Sequence, residues 1–140
     1  MGGRGAVIDR APHVTVLLDT HALLWYVTDD AALTPAARAA IDTTPEVLVS
    51  AASAWEIATK YRLGKLPAAA AIALALPEVM TRSGFAELPV SLADGARAGA
   101  LEHPHRDPFD RMLAAQALNR GIPMVSADPV LDAFGVTRVW

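Results

Sequence analysis

The sequence predicts an α/β fold with a central parallel β-sheet of about four to five strands flanked by helices. Three observations predict it. Short apolar runs of strand length recur along the chain, each is followed by a helix-start signal, and the apolar runs alternate with helical segments rather than clustering. The chain also has 140 residues and is 53% hydrophobic, enough to bury about two-thirds of its unfolded surface without disulfide or metal support.

Residues 1 to 13 are rich in glycine and charge and show no periodicity, so they read as a flexible extension before a domain at 14 to 140. Val14 to Leu18 is an apolar run ending at Asp19, the pattern of a buried strand. His21 to Tyr26 reads as a short helix. Thr34-Pro35 supplies an N-cap and a proline at the first helical position, opening a helix to about Ile41. Val47 to Ser50 is the second strand. Ser53-Ala-Trp-Glu56 has the spacing of a capping box before a helix that stops near Gly64. The alanine-rich stretch after Pro67 reads as helix, and Phe85 to Val90 as the third strand, with Ser91 capping the next helix. Asp107-Pro108-Phe109-Asp110 opens a helix that ends at Gly121. Pro123 to Ser126 is a strand, Pro129 to Phe134 a short helix, and Val136 to Trp140 the last strand.

Composition excludes several classes. The absence of cysteine removes disulfides, thiol catalysis and thiolate-bound zinc. The longest uncharged stretch, Leu66 to Pro77, is interrupted by proline and is shorter than the ~18–20 residues of a membrane span. With no apolar signal segment in view, the expectation is a cytoplasmic protein that does not engage a membrane. The net charge of −3 speaks against a protein that coats nucleic acid. It is compatible with an acidic site that holds cations.

In open parallel sheets the site lies beyond the carboxyl ends of the strands. Four carboxylates are expected at that edge. Asp19 ends the first strand and Asp128 follows the strand at 123 to 126. Glu56 and Asp110 lie in the first turns of helices that begin at the same edge. Oxygen donors of this kind suit Mg²⁺, with Mn²⁺ as a substitute. Two such ions ~4 Å apart can clamp the attacking and leaving oxygens of a phosphodiester. They would also bring the formal charge from −3 to +1, which no longer repels a polyanion.

Each acid has a plainer reading. Asp19 and Asp128 suit turns, and Asp107 is a natural N-cap. Asp110 favours the helix dipole, and Glu56 completes the capping box and precedes Lys60 by one helical turn. His103 and His105 read as solvated loop residues. Trp25, Trp55 and Trp140 read as core. Lys60, Arg62, Lys65 and Arg111 either steer phosphates, with Lys60 and Arg111 as candidate RNA contacts, or form a solvated helix face.

Four segments carry a resemblance. Leu17-Leu18-Asp19-Thr20-His21-Ala22-Leu23-Leu24-Trp25 resembles the opening of a PIN domain, in particular the toxin half of VapBC-type toxin–antitoxin pairs. Ser50-Ala51-Ala52-Ser53-Ala54-Trp55-Glu56-Ile57 is similar to the second motif of that family, the run from Arg106 to Ala117 to the third, and Val125-Ser126-Ala127-Asp128 to the fourth. The four occur in the family's order across residues 14 to 140. The resemblance implies that Asp19, Glu56, Asp110 and Asp128 hold Mg²⁺, Asp19 and Asp110 most directly. It gives Ser126, Asp107 and Thr20 supporting places. It also implies a ribonuclease toxin, often a homodimer, that cleaves RNA and is neutralised by a small antitoxin. The extension at 1 to 13 departs from the family pattern.

Alternatives stay open at this point. A PIN-like nuclease acting in RNA processing or on DNA would look the same, and so would an inactive PIN-like binding domain. A phosphoaspartyl hydrolase would need a second aspartate where His21 stands, and a late lysine. A receiver module needs that lysine too, and none follows Lys65.

Overall fold

The computed structural model describes residues 13–67 and 70–140. The extension expected at 1 to 13 therefore lies, except for His13, outside the described residues. The elements run β1 (Thr15–Leu18), α1 (Thr20–Val27), α2 (Pro35–Thr43), β2 (Glu46–Ser50), α3 (Ala51–Arg62), α4 (Ala70–Ser83), β3 (Ala86–Leu88), α5 (Leu92–Ala100), α6 (Pro108–Arg120), β4 (Met124–Val125), α7 (Val130–Ala133) and β5 (Arg138–Val139). The sheet has five strands in the order β3-β2-β1-β4-β5, and every pairing is parallel.

Strand β1 is the centre of this sheet, and its residues show why. Val16, Leu17 and Leu18 are fully buried, as a strand covered on both faces requires. Val16 and Leu18 enter one core cluster with Leu23 of α1, Ile41 of α2 and Ile72 of α4. Leu17 enters the other with Leu113 of α6, Met124 of β4 and Leu131 of α7. Each such side chain contributes ~1.5–3 kcal/mol when buried, so a polar residue in β1 would open both layers at once.

Local chemistry ends most helices where the sequence places their ends. Thr34 accepts from the Ala37 amide, and Ser91 forms a reciprocal capping box with Asp94. Asp107 caps α6, and Gly121 closes it with φ +62°, a left-handed conformation that glycine adopts without cost. Helix α4 bends at Ala75, two residues before Pro77. Proline lacks the amide to continue the ladder and its ring crowds the preceding turn.

Two expectations are corrected. The N-cap of α3 is Ser50, whose side chain accepts from the Ala52 amide. Ser53 is buried within the helix, so Ser53 and Glu56 form no capping box and Glu56 sits in the second turn. The helix begins directly at the end of β2, which leaves Ser50 as the half-extended residue that a cap needs. Trp55 is not core. It is 60% exposed, while Trp25 and Trp140 pack against the core and against each other with ring centroids 5.9 Å apart. No helix among the described residues is long and apolar enough to cross a membrane.

Candidate active site

The strand order places a switch point at the carboxyl ends of β1 and β4. From β1 the chain first builds outward through β2 and β3, then crosses to β4 and β5 on the other side. Ligands of open parallel sheets bind at such a crevice. Asp19 stands there. Its amide donates to the Val125 carbonyl at 3.1 Å, which stitches it to β4. Its carboxylate accepts from the Ala22 amide at 2.7 Å and from the Ser126 hydroxyl. Asp19 thus caps α1, the plain role expected of it, and also faces the crevice.

Asp110 arrives from α6. Asp107 Oδ1 accepts from the amides of Phe109 (2.9 Å) and Asp110 (3.0 Å). That cap sets the first turn of α6 and turns the Asp110 side chain toward the sheet edge. The charge of Asp110 reaches Asp19. Burial pushes Asp19 up to about 6, bonds from Ser126 and Ala22 partly offset this, and the Asp110 charge pushes the same way as burial. Asp110 is also raised, first by burial and then by the charges of Asp107 and Glu56, against a hydrogen bond from His105. Asp110 thus lies within electrostatic reach of Asp19 on one side and of Glu56 on the other.

Glu56 is buried, with both oxygens engaged. Thr20 Oγ1 donates to its Oε1 at 2.5 Å and lies 3.0 Å from Ser53 Oγ. Lys60 pairs with its Oε2 at 2.5 Å. Lys60, a candidate RNA contact in the sequence, is thus the counter-charge of Glu56, and Thr20 orients that acid. Asp128 is exposed, and its Oδ1 accepts from the Val130 amide at 3.0 Å, the turn role. It reaches the site through its own amide, which donates to Ser126 Oγ at 3.0 Å while the Ser126 hydroxyl serves Asp19. Arg138, buried and paired with Asp132, donates to the Ser126 carbonyl at 3.1 Å and steadies this end of β4.

Two expectations for basic groups are corrected. His103 and His105 are not solvated. Both are partly buried, and His105 Nε2 lies 2.8 Å from Asp110 Oδ2. Arg111 is not available to a phosphate, because its guanidinium is spent on main-chain carbonyls of the end of α5 and of the loop before α6. The histidine contact was missed because the only signal is position, five residues before Asp110 in a loop whose path depends on tertiary contacts.

The donor chemistry fits a hard divalent cation. Asp19 and Asp110 offer carboxylate oxygens whose ionisation is opposed by burial and by neighbouring acids, Asp110 for Asp19 and Asp107 and Glu56 for Asp110, two penalties that a bound cation relieves. Among the described residues no three His, Asp or Glu side chains are gathered closely enough to cage an ion. An open arrangement of one or two carboxylates plus water is how proteins usually hold Mg²⁺.

The family model described as PIN domain matches residues 16–136. Ribonuclease VapC22 of Mycobacterium tuberculosis is 32% identical over 119 residues, 81% of this chain and 87% of that protein. Ribonuclease VapC16 of the same organism is 46% identical over 63 residues, and the match spans about half of each protein (45% of this chain and 45% of VapC16). The fold is similar to that of VapBC2 from Rickettsia felis, solved bound to a DNA fragment from its promoter. The TM-score is 0.65 at 11% identity, covering 89% of this chain and 96% of that one.

Proposed function

Because this chain belongs to the PIN domain family, we propose that it is a Mg²⁺-dependent endoribonuclease that acts as the toxin of a toxin–antitoxin pair. The observation that carries this reading is the placement of Asp19 at the switch point within reach of the Asp110 charge, with both carboxyls raised chiefly by burial. Such paired, ionisation-resistant carboxylates mark functional sites more often than structural ones. The curated relatives, both ribonucleases, support the same reaction class.

In this reading Asp19 and Asp110 hold the ion most directly, with Glu56 and Asp128 at the margin of the site. Bound Mg²⁺ would neutralise charge on the phosphate oxygens and lower the pKa of a water. The chain's own residues prepare the place. Ser126 donates to Asp19 and keeps its carboxylate aimed at the crevice. Asp107 holds Asp110 in the first turn of α6. Thr20 and Lys60 fix Glu56 and offset its charge.

A small antitoxin partner is part of the reading, supported by the likeness to VapBC2, and so is a homodimer, carried over from the family resemblance. Apolar surface that such contacts would bury is present: the exposed Trp55 and Val90 line a groove of about 400 Å³ with Ala98 and Met112, and Leu92 is exposed as well. The reading is tested with a labelled set of single-stranded and hairpin RNAs and a matched DNA set. Purified protein is assayed with Mg²⁺, with Mn²⁺, with chelator, and as Asp110→Asn. Metal-dependent RNA cleavage that the variant lacks is the expected result. Cleavage of DNA alone would favour the DNA-directed nuclease, and no cleavage by folded, antitoxin-free protein would favour an inactive binding domain.

A further inference from the structure

The guanidinium of Arg111 has five N–H donors, and all five meet main-chain carbonyls. Nε donates to Ala98 O at 3.0 Å. Nη1 donates to His103 O at 2.9 Å and His105 O at 3.0 Å. Nη2 donates to Leu101 O at 2.6 Å and, at a longer 3.5 Å, to Gly99 O. Ala98 and Gly99 lie in the last turn of α5, whose carbonyls have no partner within the helix. One side chain therefore ties the end of α5, the loop after it and the start of α6.

The last carbonyl in that set belongs to His105, whose imidazole Nε2 lies 2.8 Å from Asp110 Oδ2. The His105 amide is held as well, donating to His103 Nδ1 at 3.1 Å. Both main-chain polar groups of His105 are thus fixed, and its ring is aimed at the carboxylate of the residue next to Arg111 in the chain.

We propose that Arg111 is a positioning residue of the site, which sets the 98–105 segment so that His105 holds the Asp110 carboxylate in its place opposite Asp19. The inference rests on the reading of Asp110 as a working carboxylate. Residues that orient a metal-binding carboxylate affect metal affinity or activity by ~10–100-fold. Lysine cannot replace arginine here, since three donors on one nitrogen cannot span five carbonyls.

The test uses the full-length metal-free protein and the ¹⁵N signals of the His105 ring. Asp110→Asn identifies the signature of the His105–Asp110 contact. Arg111→Ala, and Arg111→Lys where the alanine variant folds poorly, should move the His105 signals toward those of Asp110→Asn. A folded Arg111→Lys protein with unchanged ring signals would overturn the proposal and leave Arg111 a purely structural clamp. Mn²⁺ affinity by calorimetry gives the second reading. Arg111→Lys and His105→Ala should each weaken binding by ~10–100-fold, and the double variant should be no weaker than His105→Ala alone. Additive losses would place the action of Arg111 elsewhere and overturn it too. If wild-type protein neither binds Mn²⁺ nor cleaves RNA while the ring signals respond to Arg111→Lys, the nuclease reading fails and the positioning role stands.

Discussion

Two regions of this domain hold aspartates drawn wholly or partly out of solvent and treat them in opposite ways. In the seam between α5 and α6, Asp94 is 1% exposed, and burial by itself would raise its pKa. Arg120, Asn119, the Ser91 amide and Gln116 all donate to it, however, and together they hold the carboxyl well below the usual carboxylate range. At the switch point Asp19 has only the Ala22 amide and Ser126 as hydrogen-bond donors among the described residues, with His21 and Asp110 acting on it through their charges in opposite directions. Its carboxyl is pushed up to about 6. The seam satisfies its acid and gains stability. The site leaves acceptor capacity and repulsion in place, a local cost that a bound cation would remove.

Four substitutions sharpen or break this contrast. The largest effect is expected at the seam. Asp94→Ala leaves Arg120 facing an emptied pocket and should cost about 3 kcal/mol by urea denaturation, at the low end for buried pairs because the Arg120 side chain is 30% exposed. The sign with pH is definite. A lowered carboxylate stabilises the fold above its unfolded pKa, near 4, and that stability is lost only as pH falls through the lower folded value. The difference between wild type and Asp94→Ala should therefore shrink in strong acid. A loss below about 1 kcal/mol at neutral pH would show that the seam resembles an ordinary surface pair.

Next is Asp110→Asn. RNA cleavage should fall by at least about 100-fold, equivalent to ~2.7 kcal/mol of transition-state stabilisation. The metal-free melting temperature should hold or rise, because a repelling charge has been removed. A clear fall in that temperature would assign Asp110 to the structural class of Asp94.

Asp19→Asn comes third and is read as a pH profile of metal-free stability. The folded pKa of Asp19 is raised, so its protonated form favours the fold. That contribution is fully present below about pH 3.8 and is lost as pH rises through about 6. The variant, which keeps an oxygen to cap Ala22, should match wild type near pH 3.5 and exceed it by roughly 1–2 kcal/mol at pH 7.5, less than the full linkage value of about 3 kcal/mol because Asp19 is partly exposed and its charge screened. Equal profiles would show that Asp19 is as well satisfied as Asp94.

The smallest effect is expected for Lys60→Met, which probes an acid between the two kinds. Glu56 is 3% exposed but has Thr20 and Lys60 as partners. Thermal denaturation should show a loss of about 1 kcal/mol, since the lysine is partly exposed and the hydrogen bond is charge-assisted. No loss would place Glu56 with the site rather than with the satisfied acids.

The two regions were not equally legible in the sequence. Ser91 announces its helix, and its capping box with Asp94 is local. The other partners that satisfy Asp94 lie more than twenty residues away on α6, and nothing in the sequence flags them. At the site, Asp19 and Asp110 are visible as a strand-end and a helix-start residue, while Glu56 reads one turn too early in its helix. Their grouping follows once the alternation of strands and helices is recognised. The Ser53–Glu56 capping box was misread because a Ser-x-x-Glu spacing does not say which residue is half-extended, and β2 ends at Ser50. Trp55 was placed in the core because composition alone cannot distinguish a helix face that packs on the sheet from one that does not.

By itself the sequence determined what depends on neighbours within about four positions. The Thr34, Ser91 and Asp107 caps, the left-handed Gly121 and the doubly buried character of β1 are of this kind. The tertiary structure alone decided what depends on strand order. Placing β4 beside β1 brings Ser126 to Asp19 across more than one hundred residues, and docking α5 on α6 commits Arg111 to carbonyls instead of solvent. The physical reason is that caps and turns are closed by short-range hydrogen bonds, whereas the electrostatics of a buried carboxylate are set by whichever distant groups the packed sheet delivers to it.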